Sequence, residues 1–118
     1  MKSPVYLQML KYHKYLFLTV RHFSKKFQRE VGHDIISFSW NILDLILETN
    51  STPNHSKYTP LVKASLNFDK LKMRLRFCYE EGEISHKRYG VILAHIKEVG
   101  SMLHGWLKWA ESQKGGRA

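Results

Sequence analysis

Residues 59–82 read TPLVKASLNFDKLKMRLRFCYEEG, and this stretch decides the fold of the chain. It begins with Thr59-Pro60, a pair typical of a helix start, and Gly82 marks its end. At about 100° per residue, one apolar stripe runs along the predicted helix: Leu61, Ala64, Phe68, Leu71, Leu75 and Cys78. A stripe with this spacing indicates an amphipathic helix that packs into a core.

A second apolar stripe lies roughly opposite the first and includes Val62, Leu66, Met73 and Phe77. One stripe is enough for packing inside a monomeric bundle. Because monomers rarely leave large apolar patches in water, we expect Leu66, Met73 and Phe77 to contact another copy of the chain. The alternative is that the helix is wedged at the centre of the bundle, with both stripes buried.

Five basic residues border the two stripes. Lys63, Lys70 and Arg74 lie on one side of the helix, and Lys72 and Arg76 lie on the other. In an assembly these positions would form rows of positive charge, which favours contacts with the phosphates of a nucleic acid. For any single residue the simpler interpretation is an aliphatic stem on apolar surface with its charge in water.

Outward from this helix, the apolar spacing predicts three more helical segments. The expected helices are 4–23, 27–49, 60–81 and 85–112, with a short basic tail at 113–118. The second segment is apolar almost all round, which is typical of a buried helix. No stretch alternates as a strand does. We therefore predict a single domain over 1–118 that is all-α, an antiparallel four-helix bundle.

Gly100 stands inside the fourth predicted helix, where glycine costs about 1 kcal/mol relative to alanine. Such a glycine is usual where another backbone or a bulky ring comes close. We expect a close helix–helix contact here and add Gly100 to the predicted oligomer interface.

The chain is strongly basic, with 19 Lys and Arg against 10 Asp and Glu and a net charge of +9. The excess is greatest in residues 1–32, where seven basic residues face one acidic residue. Arg21, Lys25 and Lys26, at the junction of the first two helices, therefore join the candidate nucleic-acid contacts. A field of this sign attracts phosphate backbones and anionic membranes alike.

No motif points to catalysis, a metal or a cofactor. The seven histidines never pair at i, i+4, and the single cysteine, Cys78, has no partner for a zinc site or an internal disulfide. One free cysteine fits a reducing cytoplasm. The sequence also has no secretion signal at its start and no run of about 20 apolar residues. We expect a cytoplasmic, non-enzymatic protein without a cofactor or a membrane span.

Three runs resemble a known family: REVGHDI at 29–35, LKMRLRFCYEEGEIS at 71–85 and RYGVILAHIKEVGSMLHGWLKWAE at 88–111. They look like the accessory variability determinant (Avd) of diversity-generating retroelements. They are also similar to the four-helix proteins encoded in intervening sequences of 23S ribosomal RNA genes. The resemblance covers about residues 10–110. The chain departs from the family pattern near its end, where Gly100 is followed by His104-Gly105-Trp106.

This resemblance implies a ring-like homopentamer of four-helix bundles with a positively charged surface. It also implies two partners, the reverse transcriptase of the retroelement and its template RNA, with DNA as a further possible ligand. In that role the protein supports mutagenic cDNA synthesis without catalysing it. The basic third-helix pattern of the family corresponds here to Lys72 and Arg76, with Arg74 between them.

Two other functions remain open from the sequence. A structural or protein-interaction module of the intervening-sequence type would share the fold without a dedicated RNA function. A peripheral membrane protein would instead use the basic first helix to bind anionic lipid.

Overall fold

A computed structural model describes residues 4–115, which form four long helices. Helix α1 is Pro4–Arg21. Helix α2 covers residues 25–50 and consists of a turn, Lys25–Phe27, a π-helical segment, Gln28–Gly32, and the α-helix His33–Asn50. Helix α3 is Tyr58–Glu80 and helix α4 is His86–Gly115, with a 3-10 turn, Asn54–Ser56, before α3. Residues 4–115 contain no strand, so the all-helical prediction is confirmed for this part of the chain.

The four helices pack as a bundle in which each runs antiparallel to its neighbours. The α1–α2 pair is joined by His13 and Ser39, and the α1–α4 pair by Tyr12 and His95. Contacts also join Asp34 to Arg74 between α2 and α3, and Phe68 to Gly100 between α3 and α4. Contacts near the helix ends show the antiparallel arrangement, because Thr19 late in α1 meets Arg88 early in α4, and Tyr58 early in α3 meets Lys114 late in α4.

The core lies between the helices and confirms the first α3 stripe, since all six of its residues are buried: Leu61, Ala64, Phe68, Leu71, Leu75 and Cys78. From the other helices, the core includes Met9, Leu16, Ile42, Ile46 and Ile92. Burial of such side chains removes apolar surface from water and is the main favourable contribution to folding.

The prediction that α2 is buried all round is wrong. Its inner side is in the core, but Trp40 and Leu47 are 51% and 40% exposed. In a bundle of four helices each helix contacts two neighbours, so one face of every helix has nothing from the same chain to cover it. Apolar residues on that face remain in water.

The helix ends differ from the predicted ones by a few residues, and local hydrogen bonds explain where they fall. Helix α3 ends because Gly82 has a φ of +85°, and Glu83 N donates to Cys78 O. This is the glycine-ended arrangement expected at a helix C-terminus. The buried Lys57, which precedes α3, donates from Nζ to the Thr49 carbonyl near the end of α2. Helix α4 continues through residues 113–115 of the predicted tail. Residues 1–3 and 116–118 of the predicted domain lie outside the described part.

Gly32, in the π-helical segment of α2, allows α1 and α2 to approach each other closely. A Cβ at this position would lie 2.7 Å from Val20 Cγ1 and 3.5 Å from Phe23 Cδ2. The glycine is therefore required by packing between the end of α1 and the start of α2.

None of the helices within residues 4–115 has the length and apolar content needed to cross a bilayer.

Candidate nucleic-acid interface

The second stripe of α3 lies on the outside of the bundle. Leu66, Met73 and Phe77 are 54%, 65% and 48% exposed. The alternative in which α3 is wedged at the centre of the bundle is therefore wrong. Phe77 stacks on Phe27 of α2 at a ring-centroid distance of 6.3 Å, which extends this apolar surface toward α2. The contact of the stripe with another copy of the chain stays a prediction.

The two basic residues on one edge of α3 have acidic neighbours. Lys72 Nζ lies 3.2 Å from Asp69 Oδ1, and Arg76 Nε lies 3.1 Å from Glu80 Oε2 on the same helix. These pairs are exposed, so they contribute little to stability. They nevertheless reduce the positive charge that each side chain offers to a phosphate, because a carboxylate already lies beside it.

On the other edge of α3, Lys70 and Arg74 contact residues of α2. Arg74 lies 3.9 Å from Asp34 Oδ2, and its guanidinium stands 4.6 Å from the centre of the Phe38 ring. Lys70 Nζ lies 6.0 Å from the same ring centre. Lys63 is exposed and makes no ion pair within residues 4–115. Lys63 and Lys70 are thus the α3 cations most available to a partner.

Arg21, Lys25 and Lys26 lie at the junction of α1 and α2, and all three are exposed. Gln28 Nε2 donates to the carbonyls of Arg21 and Phe23, each at 3.2 Å, and so holds the end of α1 against the start of α2. No carboxylate pairs with these three cations within the described residues. We call Arg21, Lys25 and Lys26 the junction cluster.

The fold brings Arg88 of α4 to the same end of the bundle, a residue that the sequence analysis missed. Its Nη1 donates to Thr19 Oγ1 at 3.4 Å, and its guanidinium lies 5.2 Å from the centre of the Tyr15 ring. Arg88 lines a shallow polar depression with His22, Gly82, Glu83 and Ser85. No spacing in the sequence connects Arg88 with α1, because Arg88 and Thr19 are 69 residues apart in the chain.

The N-terminus of α2 is occupied by a carboxylate of the same chain. Glu83 accepts hydrogen bonds from Ser24 N at 2.8 Å and from Ser24 Oγ at 3.3 Å. A helix N-terminus favours negative charge, which Glu83 supplies here. This helix N-terminus is therefore already neutralised by a carboxylate of the chain.

Gly100 makes its close contact inside the chain. A Cβ added to it would lie 3.3 Å from Cε2 of Phe68 on α3. The close helix–helix contact expected at Gly100 is therefore confirmed between α3 and α4, and its place in an oligomer interface stays a prediction.

Several buried titratable groups are held in their uncharged forms. Burial raises the pKa of the Cys78 thiol to about 11 and, with Tyr89 nearby, raises the pKa of Tyr12 well above its usual value. Burial also lowers the pKa of His13, whose Nδ1 is 2.7 Å from Ser39 Oγ. The hydroxyl of Tyr12 has no hydrogen-bond partner among the described residues. Within 4–115 no group of three His, Cys, Asp or Glu side chains could hold a metal ion.

Comparisons of the chain with protein-family models, with curated proteins and with solved structures find no match.

Proposed function

We propose that the protein is a non-catalytic, nucleic-acid-binding accessory protein of a diversity-generating retroelement, as its resemblance to Avd implies. Copies of the chain form a ring-like homopentamer. The ring binds template RNA and the reverse transcriptase, and thereby supports mutagenic cDNA synthesis. The observation that supports nucleic-acid binding is the junction cluster.

The junction cluster suits phosphate contacts because its charged groups are exposed. Arg21, Lys25 and Lys26 have no carboxylate partner within residues 4–115. Lysine and arginine bind phosphates without regard to sequence and release counterions when they do so. In a symmetric ring each cluster is repeated, so modest contacts to one RNA add through multivalency.

A second function, a structural or protein-interaction module of the intervening-sequence type, is favoured by a different observation. Arg74, Lys72 and Arg76 each lie within 4 Å of a carboxylate, beside an exposed apolar stripe. A surface with largely balanced charge and apolar side chains is typical of a protein contact. Such a module would bind RNA weakly and without regard to RNA structure.

A charge-matched pair of variants tests the proposal. Lys25→Glu/Lys26→Glu alters the junction cluster, and Lys97→Glu/Lys108→Glu alters exposed residues of α4. Each substitution changes the net charge by −2, so both variants go from +9 to +5. We expect the junction variant to bind a structured RNA about tenfold more weakly at low salt, with a slope of log K against log salt that falls by about 1 per lost contact.

Fluorescence anisotropy with a labelled RNA measures both quantities, and circular dichroism checks that helicity is retained. Equal losses in the two variants would mean that only total charge matters, and the junction cluster would then have no special role. A third variant, Lys72→Glu/Arg76→Glu, should lose less affinity than the junction variant because those side chains are already paired.

A further inference from the structure

An open groove runs between α1 and α2 on the outside of the bundle, and none of its lining residues belongs to the junction cluster. Leu10, Phe17 and Leu18 of α1 and Trp40 of α2 form its apolar lining, with His13 and Lys14 beside them. Its volume is about 480 Å³. Phe17 and Leu18 are each 48% exposed and Trp40 is 51% exposed, so three large apolar side chains meet water in one place. Surfaces of this kind mark binding sites.

The floor of the groove is held in place by contacts inside the bundle. His13 is 5% exposed, its Nδ1 lies 2.7 Å from the buried Ser39 Oγ, and its ring lies 4.2 Å from the ring of Trp40. The indole therefore packs against a fixed side chain. A rigid aromatic residue loses little entropy when a partner covers it, which favours affinity.

The groove is long enough for a short helix. A neighbouring depression shares Leu10 and Lys14 and continues along α1 toward Leu7, which is 50% exposed. From Leu7 to Leu18 the axis of α1 spans about 17 Å, or about three helical turns. A helix laid in a groove of this length contacts it through side chains at i, i+3 or i+4, and i+7.

The α1 side of the groove is positively charged, whereas α2 contributes the exposed Asp44, one helical turn from Trp40. Helix α1 contains no acidic residue, whereas Lys11, Lys14 and Arg21 are exposed along it. Arg21 stands over the Phe17 ring, with its guanidinium carbon 5.2 Å from the ring centre. A partner with carboxylates beside its apolar side chains would meet complementary charge, which raises the association rate and excludes basic partners.

Two other occupants fit less well. The outer stripe of α3 from a second copy is bordered by lysine and arginine, most of them paired with carboxylates, so it offers the basic side of the groove no excess of negative charge. A nucleic acid would stack bases on aromatic rings while a basic groove follows its backbone. Here Lys14 supplies the one full positive charge in the lining, which also includes the aliphatic Leu10 and Leu18.

We propose that this groove binds an amphipathic helix of a partner protein, with apolar residues at i, i+4, i+7 and i+11 and acidic residues on its flanks. Trp40, Phe17 and Leu18 contact the apolar side of that helix, and Lys11 and Lys14, which line the two neighbouring depressions, pair with its carboxylates. This interaction uses a different surface from the nucleic-acid contacts proposed above.

A synthetic helix of about 15 residues, with leucine at the four apolar positions, glutamate on the flanks and a fluorescent label, serves as the probe. We expect it to bind the full chain in an anisotropy titration. Trp40→Ala and Leu18→Ala should each weaken binding about tenfold, as truncation of central apolar side chains does at interfaces. Trp109→Ala and Leu93→Ala, which change exposed residues of α4, should leave the affinity unchanged.

Three results would overturn the inference. The first is absence of binding, or equal binding of a probe with lysine in place of glutamate. The second is displacement of the probe by RNA at low salt, which would assign the groove to nucleic acid. The third is dissociation of the oligomer by Trp40→Ala, which would make the groove a contact between copies. The two proposals are tested separately, because Lys25→Glu/Lys26→Glu should lose RNA binding and still bind the probe.

Discussion

The outer faces of α1 and α3 are similar in composition but differ in how their charge is balanced. Each has exposed apolar side chains beside lysine and arginine. On α3, Lys72 and Arg76 have carboxylate oxygens within 3.2 Å, whereas α1 contains no acidic residue. The number of basic residues on a helix therefore does not give the charge that a partner meets. The position of the nearest carboxylate decides that charge.

The two faces also differ in shape. The apolar residues of α3 lie along the outside of one helix, whereas those of α1 border a groove whose other side is Trp40 of α2. A convex stripe suits a contact with a second apolar surface, and a groove suits an inserted helix. We therefore expect the two faces to bind different partners.

The largest expected effect is on self-association, which should depend on the outer face of α3 and not on that of α1. Met73→Glu places a charge in the α3 stripe and should convert the predicted oligomer into monomers, because a buried unpaired carboxylate is costly. Leu18→Glu places the same charge in the groove and should leave the oligomer intact. Light scattering gives the two masses. If Leu18→Glu alone dissociates the oligomer, the groove and not the α3 stripe is the contact between copies. If the wild-type chain is a monomer, the prediction of an oligomer is wrong.

A smaller effect concerns the groove floor and pH. Burial lowers the pKa of His13 below its ordinary value of 6.5, so the folded state binds fewer protons than the unfolded chain. The stability from a neutral His13 is present above about pH 6.5 and is lost as pH falls through the folded-state pKa. The free energy of unfolding should therefore decrease from pH 7 to pH 5.

Urea titrations across this pH range measure the effect. His13→Gln removes the titrating group and should reduce the pH dependence. His104→Gln, on the exposed side of α4, is the control and should retain the wild-type dependence. An unchanged pH dependence in His13→Gln would show that His13 does not respond to pH in this way. Burial also lowers the pKa of His95, so some dependence should remain.

The smallest effect tests the charge balance on α3. Asp69→Asn with Glu80→Gln removes the partners of Lys72 and Arg76 without adding basic residues. RNA affinity should rise roughly threefold, because the freed cations can replace counterions at phosphates. Asp44→Asn with Glu111→Gln makes the same change in net charge at exposed positions and should have less effect. If RNA affinity increases equally in both variants, the ion pairs on α3 have no effect of their own on RNA binding.

Features that depend on spacing within one helix could be predicted from the sequence, although two ion pairs of this kind on α3 were missed. The inner α3 stripe follows from the 3.6-residue period alone, because the buried face of a helix is a local property. The pairs Asp69–Lys72 and Arg76–Glu80 are three and four residues apart, so they too could have been found by spacing. Because carboxylates lie beside these basic residues, the unpaired positive charge of α3 is smaller than the number of its basic residues suggests.

Contacts between helices could not be predicted in this way. Arg88 donates a hydrogen bond to Thr19, and Ser24 donates one to Glu83. Both contacts form only because α4 and the α3–α4 connection pack beside the end of α1. The exposure of Trp40 has the same origin. Its apolar character indicates burial, but residues 4–115 form no further helix that covers that face of α2.

By itself, the sequence determined the helical class, the inner stripe of α3, the end of that helix at Gly82 and the positive net charge. Each of these depends on residues close together in the chain, through helical periodicity or backbone conformation. Only the tertiary structure decided which apolar faces remain in water, which cations are paired with carboxylates and that α1 and α2 form a groove. Those features depend on how distant segments pack, and burial and pairing are properties of the surroundings of a side chain.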